Sequence, residues 1–196
     1  MNTRTQGLTG GLIEMRFSVI LAIFCLSLVA CSETPALHES LNDKGVPRWV
    51  GNGSSILKTE NDRYFNGVGS ASMMGDFSLQ TSAANQRARE EMARIIASYL
   101  EIVSRDYIAS GKATAAGFTE QDILKYINKV SQIDLSTVQV TGHWKDDKSR
   151  KIYAITQMDM KKVRQLIGNL VSSDTGLKAY LDENGSRIFD RIANKE

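Results

Sequence analysis

Residues able to do chemistry are sparse in this 196-residue chain, which holds two Cys and two His. His38 and His143 each lack a second His or Cys at ligand spacing, so both read as surface histidines and no metal site is expected. Gly67-Val68-Gly69 has the opening of a dinucleotide or phosphate loop, but the third glycine and the tight strand-turn-helix spacing are missing. A strand packed closely under a helix explains those glycines better. Asp174-Thr175-Gly176 matches the aspartic-protease tripeptide, whose chemistry needs two such carboxylates side by side. A single copy between two helical patterns reads instead as a helix cap. Arg87, Arg89, Arg94 and Arg105 interleave with Glu90, Glu91 and Glu101, as on a solvated ion-pair face rather than an anion site. The sequons at Asn52 and Asn184 are expected to be unused. No catalytic residue, cofactor site or metal ligand is therefore expected, and the chain reads as a non-enzyme.

Cys31 is the exception. It ends a run of 14 uncharged, mostly apolar residues from Phe17 to Ala30, which Arg16 precedes. That is short for a membrane-spanning helix, which needs about 20 residues, and right for the apolar region of a signal peptide. Leu28-Val29-Ala30-Cys31 has the form of a bacterial lipobox, with small residues at the cut and the cysteine after it. Its thiol would take a diacylglycerol by thioether linkage, and cleavage before it would free an amine for a third acyl chain such as palmitate. Several acyl chains give firm anchoring where one gives marginal binding. Residues 1–30 then belong to the signal, with Met15 an alternative start. Cys25 leaves with that signal, so the mature chain has no second thiol for a disulfide. Ser32, where Asp would be the enteric inner-membrane retention signal, points to the outer membrane.

The elements that follow must hold whatever function exists. The hydrophobic content of 42% and the net charge of +2 suit one compact domain and argue against a polybasic nucleic-acid binder. Residues 31–46 read as a lipidated flexible tether, with a reach of about 20 Å for roughly 15 residues. Tyr64, Phe65 and Val68 suggest a strand over 63–72. Ala84, Ala88, Met92, Ile95, Ile96, Tyr99, Val103 and Tyr107 draw one apolar stripe, predicting a helix over 78–109 about 48 Å long. Arg87/Glu91, Glu90/Arg94 and Glu101/Arg105 should pair across its outer turns. Thr119 should cap a shorter helix that turns Ile123, Leu124, Ile127 and Val130 inward. A period of two on either side of Asp146-Asp147-Lys148-Ser149 predicts a β-hairpin. Asp159 should cap a third helix with Val163, Leu166, Ile167 and Leu170 inward, and a last amphipathic helix carries Leu177, Leu181, Ile188 and Ile192, with Gly185 as its weak point. The expected fold is α+β, with helices on one face of a small, mainly antiparallel sheet. The boundaries are 47–171 for the domain and 172–196 for an additional C-terminal helical segment.

Several of these stretches together resemble a known family. They are Pro47-Arg48-Trp49-Val50, Phe65-Asn66-Gly67-Val68-Gly69-Ser70-Ala71, the helix start from Ala84 to Ala93, and the hairpin with Ile152-Tyr153-Ala154 and Met158-Asp159. In this order, over residues 47–171, the chain resembles the twenty-kilodalton lipoprotein family named for a Helicobacter surface antigen. The flagellar outer-membrane lipoprotein FlgP is related to that family. The resemblance implies a small α+β domain on the outer membrane, without known catalytic residues, and FlgP-like members form rings or discs around the flagellar motor.

The expected role is thus a structural or assembly component of an envelope complex, lipid-anchored through Cys31, facing the periplasm and associating with itself or with envelope proteins. An apolar C-terminal face larger than one core can bury would serve that association. The alternative is a periplasm-facing regulatory binding module for a cell-wall synthase or another envelope partner. A third reading places a ligand in a cleft lined by Trp49, Tyr64 and Trp144.

Overall fold

The computed structural model describes residues 41–59, 62–136 and 138–194. Residues 1–30, read as a signal peptide, Cys31, His38 and the expected tether as far as residue 40 lie outside the described residues.

Ten elements follow in order. They are α1 (Arg48–Asn52), β1 (Ser55–Lys58), β2 (Arg63–Ala71), α2 (Phe77–Ala109), α3 (Lys112–Ala116), α4 (Glu120–Ser131), β3 (Val140–Asp146), β4 (Lys151–Asp159), α5 (Met160–Leu170) and α6 (Thr175–Ala193). The fold is α+β. Its four strands form one antiparallel sheet in the order β1-β2-β4-β3, and the long helix α2 crosses β2 and β4.

The sheet alternates as a pleated strand must. Phe65, Gly67, Gly69 and Ala71 turn toward α2, opposite Met158, Thr156, Ala154 and Ile152 of β4. A Cβ on Gly67 would overlap the Ala88 carbonyl, and one on Gly69 would overlap the Ala88 amide nitrogen. The Gly-x-Gly pair is thus the close strand-helix approach its spacing suggested. Thr156 completes the seam, its hydroxyl donating to Gly67 O or Ala88 O at 3.2 Å. Ile155 is buried on the opposite face, in register with Gly142 of β3, so β4 is covered on both sides.

Three expectations change. First, Ser55–Lys58 is a strand paired with β2, a stretch to which the sequence assigned no element. Second, residues 41–46, assigned to the tether, close into a hydrogen-bonded turn: Asn42 Oδ1 accepts from the amides of Lys44 and Val46, and Leu41 bridges to buried Pro47. Third, the C-terminal apolar face is not surplus. Leu177, Leu181, Ile188 and Phe189 of α6 are buried in the chain's own core. Phe189 and Tyr99 meet Phe65 edge-on, each at 5.2 Å between ring centres, so 172–194 completes the domain rather than extending it. Gly185 is the point of closest approach: its carbonyl accepts the Tyr99 hydroxyl at 2.9 Å, and a Cβ there would crowd that oxygen.

The caps follow the sequence closely. Asp159 Oδ1 accepts from the Lys162 amide and Asp174 Oδ1 from the Leu177 amide, both at 2.8 Å. The Asp122 carboxylate accepts from the Thr119 amide at 3.0 Å, closing α4's first turn. Leu124 departs from its expected inward position and is exposed, while Tyr126 takes the buried place.

Candidate functional site

The residues with chemical potential are brought together in small structural clusters. Asp174 is spent as the cap of α6. His143 Nε2 lies 2.6 Å from Asn85 Oδ1, which ties β3 to α2. The helix arginines mostly find partners other than those expected: Arg89 Nε donates to Val138 O at 3.0 Å, Arg87 donates to Ser70 O, and Arg94 pairs with Glu91 at 2.9 Å. Arg105 does pair with Glu101 at 3.0 Å, and also reaches Glu120 of α4. Asn184 sits inside α6 with its amide donating to Tyr180 O, a regular helical setting rather than an open sequon.

Two carboxylates fasten α6 to the rest of the domain. Asp190 accepts from Arg63 Nε at 2.6 Å and Nη2 at 2.7 Å, and from Lys58 Nζ at 3.0 Å. The Arg63 hydrogen bonds, with Lys58 adding to them against partial desolvation, pull its pKa down to about 2. Asp106 of α2 accepts from the Tyr180 hydroxyl at 2.8 Å and from Arg191 at 3.0 Å. Desolvation works against its ionisation, but those hydrogen bonds outweigh it and hold the group below the usual carboxylate range.

Trp49, Tyr64 and Trp144 are not gathered into one cleft. All three are half-buried. Trp49 lies over Gly142, in the row of Val68 and Ile155, and Trp144 packs on Tyr153 at 5.6 Å. Tyr64 stands four residues along β2 from Val68, roughly 13 Å away at the rise of a strand.

A groove of about 570 Å³ runs between α2, α4 and the segment after α4. Ile127 and Ile133 give it apolar walls, while Arg89, Glu90, Arg94 and Asp134 put both signs of charge on its rim. The Ser136 hydroxyl and amide hold Asp134 below its ordinary pKa, and Arg89 and Arg94 are already engaged. The groove can seat a side chain.

Two surfaces remain, and neither was singled out by residue type. β3 is an edge strand: among the described residues no strand pairs with its outer side. Thr141, His143 and Lys145 stand exposed along it, His143 reaching across to Asn85 of α2. A β-bulge interrupts its pairing with β4 between Val140 and Gly142. The opposite edge, β1, lies against α6. The second surface is the turn between β2 and α2, where Met73, Met74, Phe77 and Leu79 are exposed. Sequence periodicity could not find either one, because edge position follows from long-range pairing and the exposed residues fall at a helix start.

No family model, no curated protein and no solved structure matches this chain.

Proposed function

We propose that the chain is an outer-membrane lipoprotein, anchored through acylated Cys31, that serves as an assembly component of an envelope complex of the FlgP-like ring or disc kind. The lipobox and the order of family-like stretches support the anchor and the class. The observation that carries the assembly role is the seven-residue edge of β3. Such an edge presents a row of backbone donors and acceptors that a neighbouring strand can complete. The C-terminal face no longer contributes to this argument, because α6 spends it inside the domain.

The test is the native mass of the protein after gentle detergent extraction of the outer-membrane fraction. A uniform oligomer is expected, and it should fall to smaller units when Thr141→Asp and His143→Asp place like charges along the edge. A wild-type monomer that co-purifies with no envelope component would overturn the assembly role.

A further inference from the structure

Met73, Met74, Phe77 and Leu79 lie within seven residues at one end of the sheet and are between 42% and 66% exposed. Their position is held, not frayed. Asp76 caps α2 by accepting the Leu79 amide at 2.8 Å. Buried Gln80 donates at 2.9 Å to both Ala71 O and Arg150 O, joining the end of β2, the start of α2 and the β3-β4 turn. Arg150 also reaches Met73 Sδ at 3.8 Å. The apolar side chains thus stand beside the hairpin turn Asp146-Asp147-Lys148-Ser149-Arg150.

The charges there are unequal in what they have left to bind. Asp76 is occupied by its cap, Asp146 by Ser149 and the Lys148 amide, and Asp147 by Lys145 at 2.7 Å. Among the described residues no carboxylate lies within 4 Å of the Lys148, Arg150 or Lys151 head groups; Asp146, opposite Lys151 in the hairpin and acted on by Lys148, is the nearest acid and already accepts from Ser149. Apolar side chains edged by cations free of salt bridges match the interface of an anionic bilayer, whose hydrocarbon takes the former and whose phosphates take the latter. A protein partner fits less well. Four side chains offer a few hundred Å², short of the roughly 1,000 Å² that a stable protein contact clears.

We infer that the β2-α2 turn is a second membrane contact, which dips Met73, Met74 and Phe77 into the headgroup layer of an anionic phospholipid leaflet while Lys148, Arg150 and Lys151 bind its phosphates. This rests on the lipoprotein reading, since the contact is weak alone and needs the bilayer close by. Leu41 lies ten positions after Cys31, a span of at most about 36 Å, so an anchored domain stays within reach of the surface.

The experiment uses the full acylated protein, reconstituted in vesicles of phosphatidylethanolamine and phosphatidylglycerol. Acylation blocks Cys31, so Met74→Cys can carry a single nitroxide label, with Leu124→Cys as an exposed apolar control. The expected result is a label at 74 that collides freely with oxygen but poorly with a water-soluble nickel chelate, while the label at 124 stays aqueous. Charge reversal by Lys148→Glu, Arg150→Glu and Lys151→Glu should lower the immersed fraction by about tenfold or more. An aqueous label at 74 overturns the proposal, and so does one shielded from both probes, which would mean a protein partner or a second copy. The acyl mass on Cys31 and the native mass of the same sample report separately on the lipoprotein and assembly reading.

Discussion

Asp190→Asn should destabilise the domain by about 1–2 kcal/mol at neutral pH, and the loss should fade in acid. Asp190 is the point where the C-terminal helix is ion-paired to the sheet, through Arg63 of β2 and Lys58 of β1. Its pKa falls from 3.8 to about 2, and each unit of such a shift corresponds to about 1.4 kcal/mol. That would be roughly 2 kcal/mol, reduced by solvent screening because Arg63 and Lys58 are each about one-third exposed. The sign follows from the direction of the shift. A carboxylate with a lower pKa folded than unfolded stabilises the fold above its unfolded value, and loses that contribution as pH falls through the folded one. The difference between wild type and Asp190→Asn should therefore be full at pH 7 and shrink between about pH 4 and pH 2. Urea unfolding followed by tryptophan fluorescence at several pH values measures it, and a double-mutant cycle with Arg63→Gln isolates the pair. A variant indistinguishable from wild type at pH 7, or a loss that persists undiminished at pH 2, would refute the reasoning.

Four further changes probe the packing and the backbone. Gly69→Ala forces a Cβ onto the backbone of α2 at Ala88 and should cost about 3 kcal/mol or more, seen as a large fall in melting temperature or in soluble yield. Phe189→Ala removes a ring that touches both Phe65 and Tyr99 and should cost about 3–5 kcal/mol; a chain ending at Val171 should fail to unfold cooperatively in urea. Arg150 holds a left-handed φ of 53°, so Arg150→Gly should raise stability by up to about 1 kcal/mol by calorimetry, relieved strain exceeding the added unfolded-chain freedom.

Much of the fold could be read from local pattern. The stripe from Ala84 to Tyr107 marked α2, because a helix this long repeats its signal over many turns. Asp159 and Asp174 were recognisable as caps because capping is chemistry within four residues. What local pattern could not supply was the identity of the packing partner. β1 has only four residues, two of them exposed, and becomes a strand by pairing with β2. Leu177, Leu181 and Ile188 were legibly apolar, but periodicity does not say whether such a face meets its own core or another chain. The β3 edge and the Met73-to-Leu79 cluster depend on sheet order and on which helix turn is left uncovered, and both are set by long-range contacts.

The two surfaces constrain one another. The apolar turn follows Ala71 at the end of β2, and β3 runs into the hairpin turn at that same end. If the turn meets the bilayer, β3 stands away from the membrane and its free edge faces sideways, toward other anchored copies. Strand addition through that edge would then grow an assembly in the plane of the membrane, the geometry a ring or disc needs. It also sets a limit. The opposite edge of the sheet is occupied by α6, so β3 joined to β3 of a second copy is an isologous contact, and such contacts close at a dimer. A ring requires a second, different surface on each copy, and the groove between α2 and α4, with apolar walls and both signs of charge at its rim, has the character of one. Native mass separates these outcomes. A dimer abolished by the edge charges would mean that β3 is the whole interface. A larger ring that the same charges reduce to smaller units would mean that β3 is one of two.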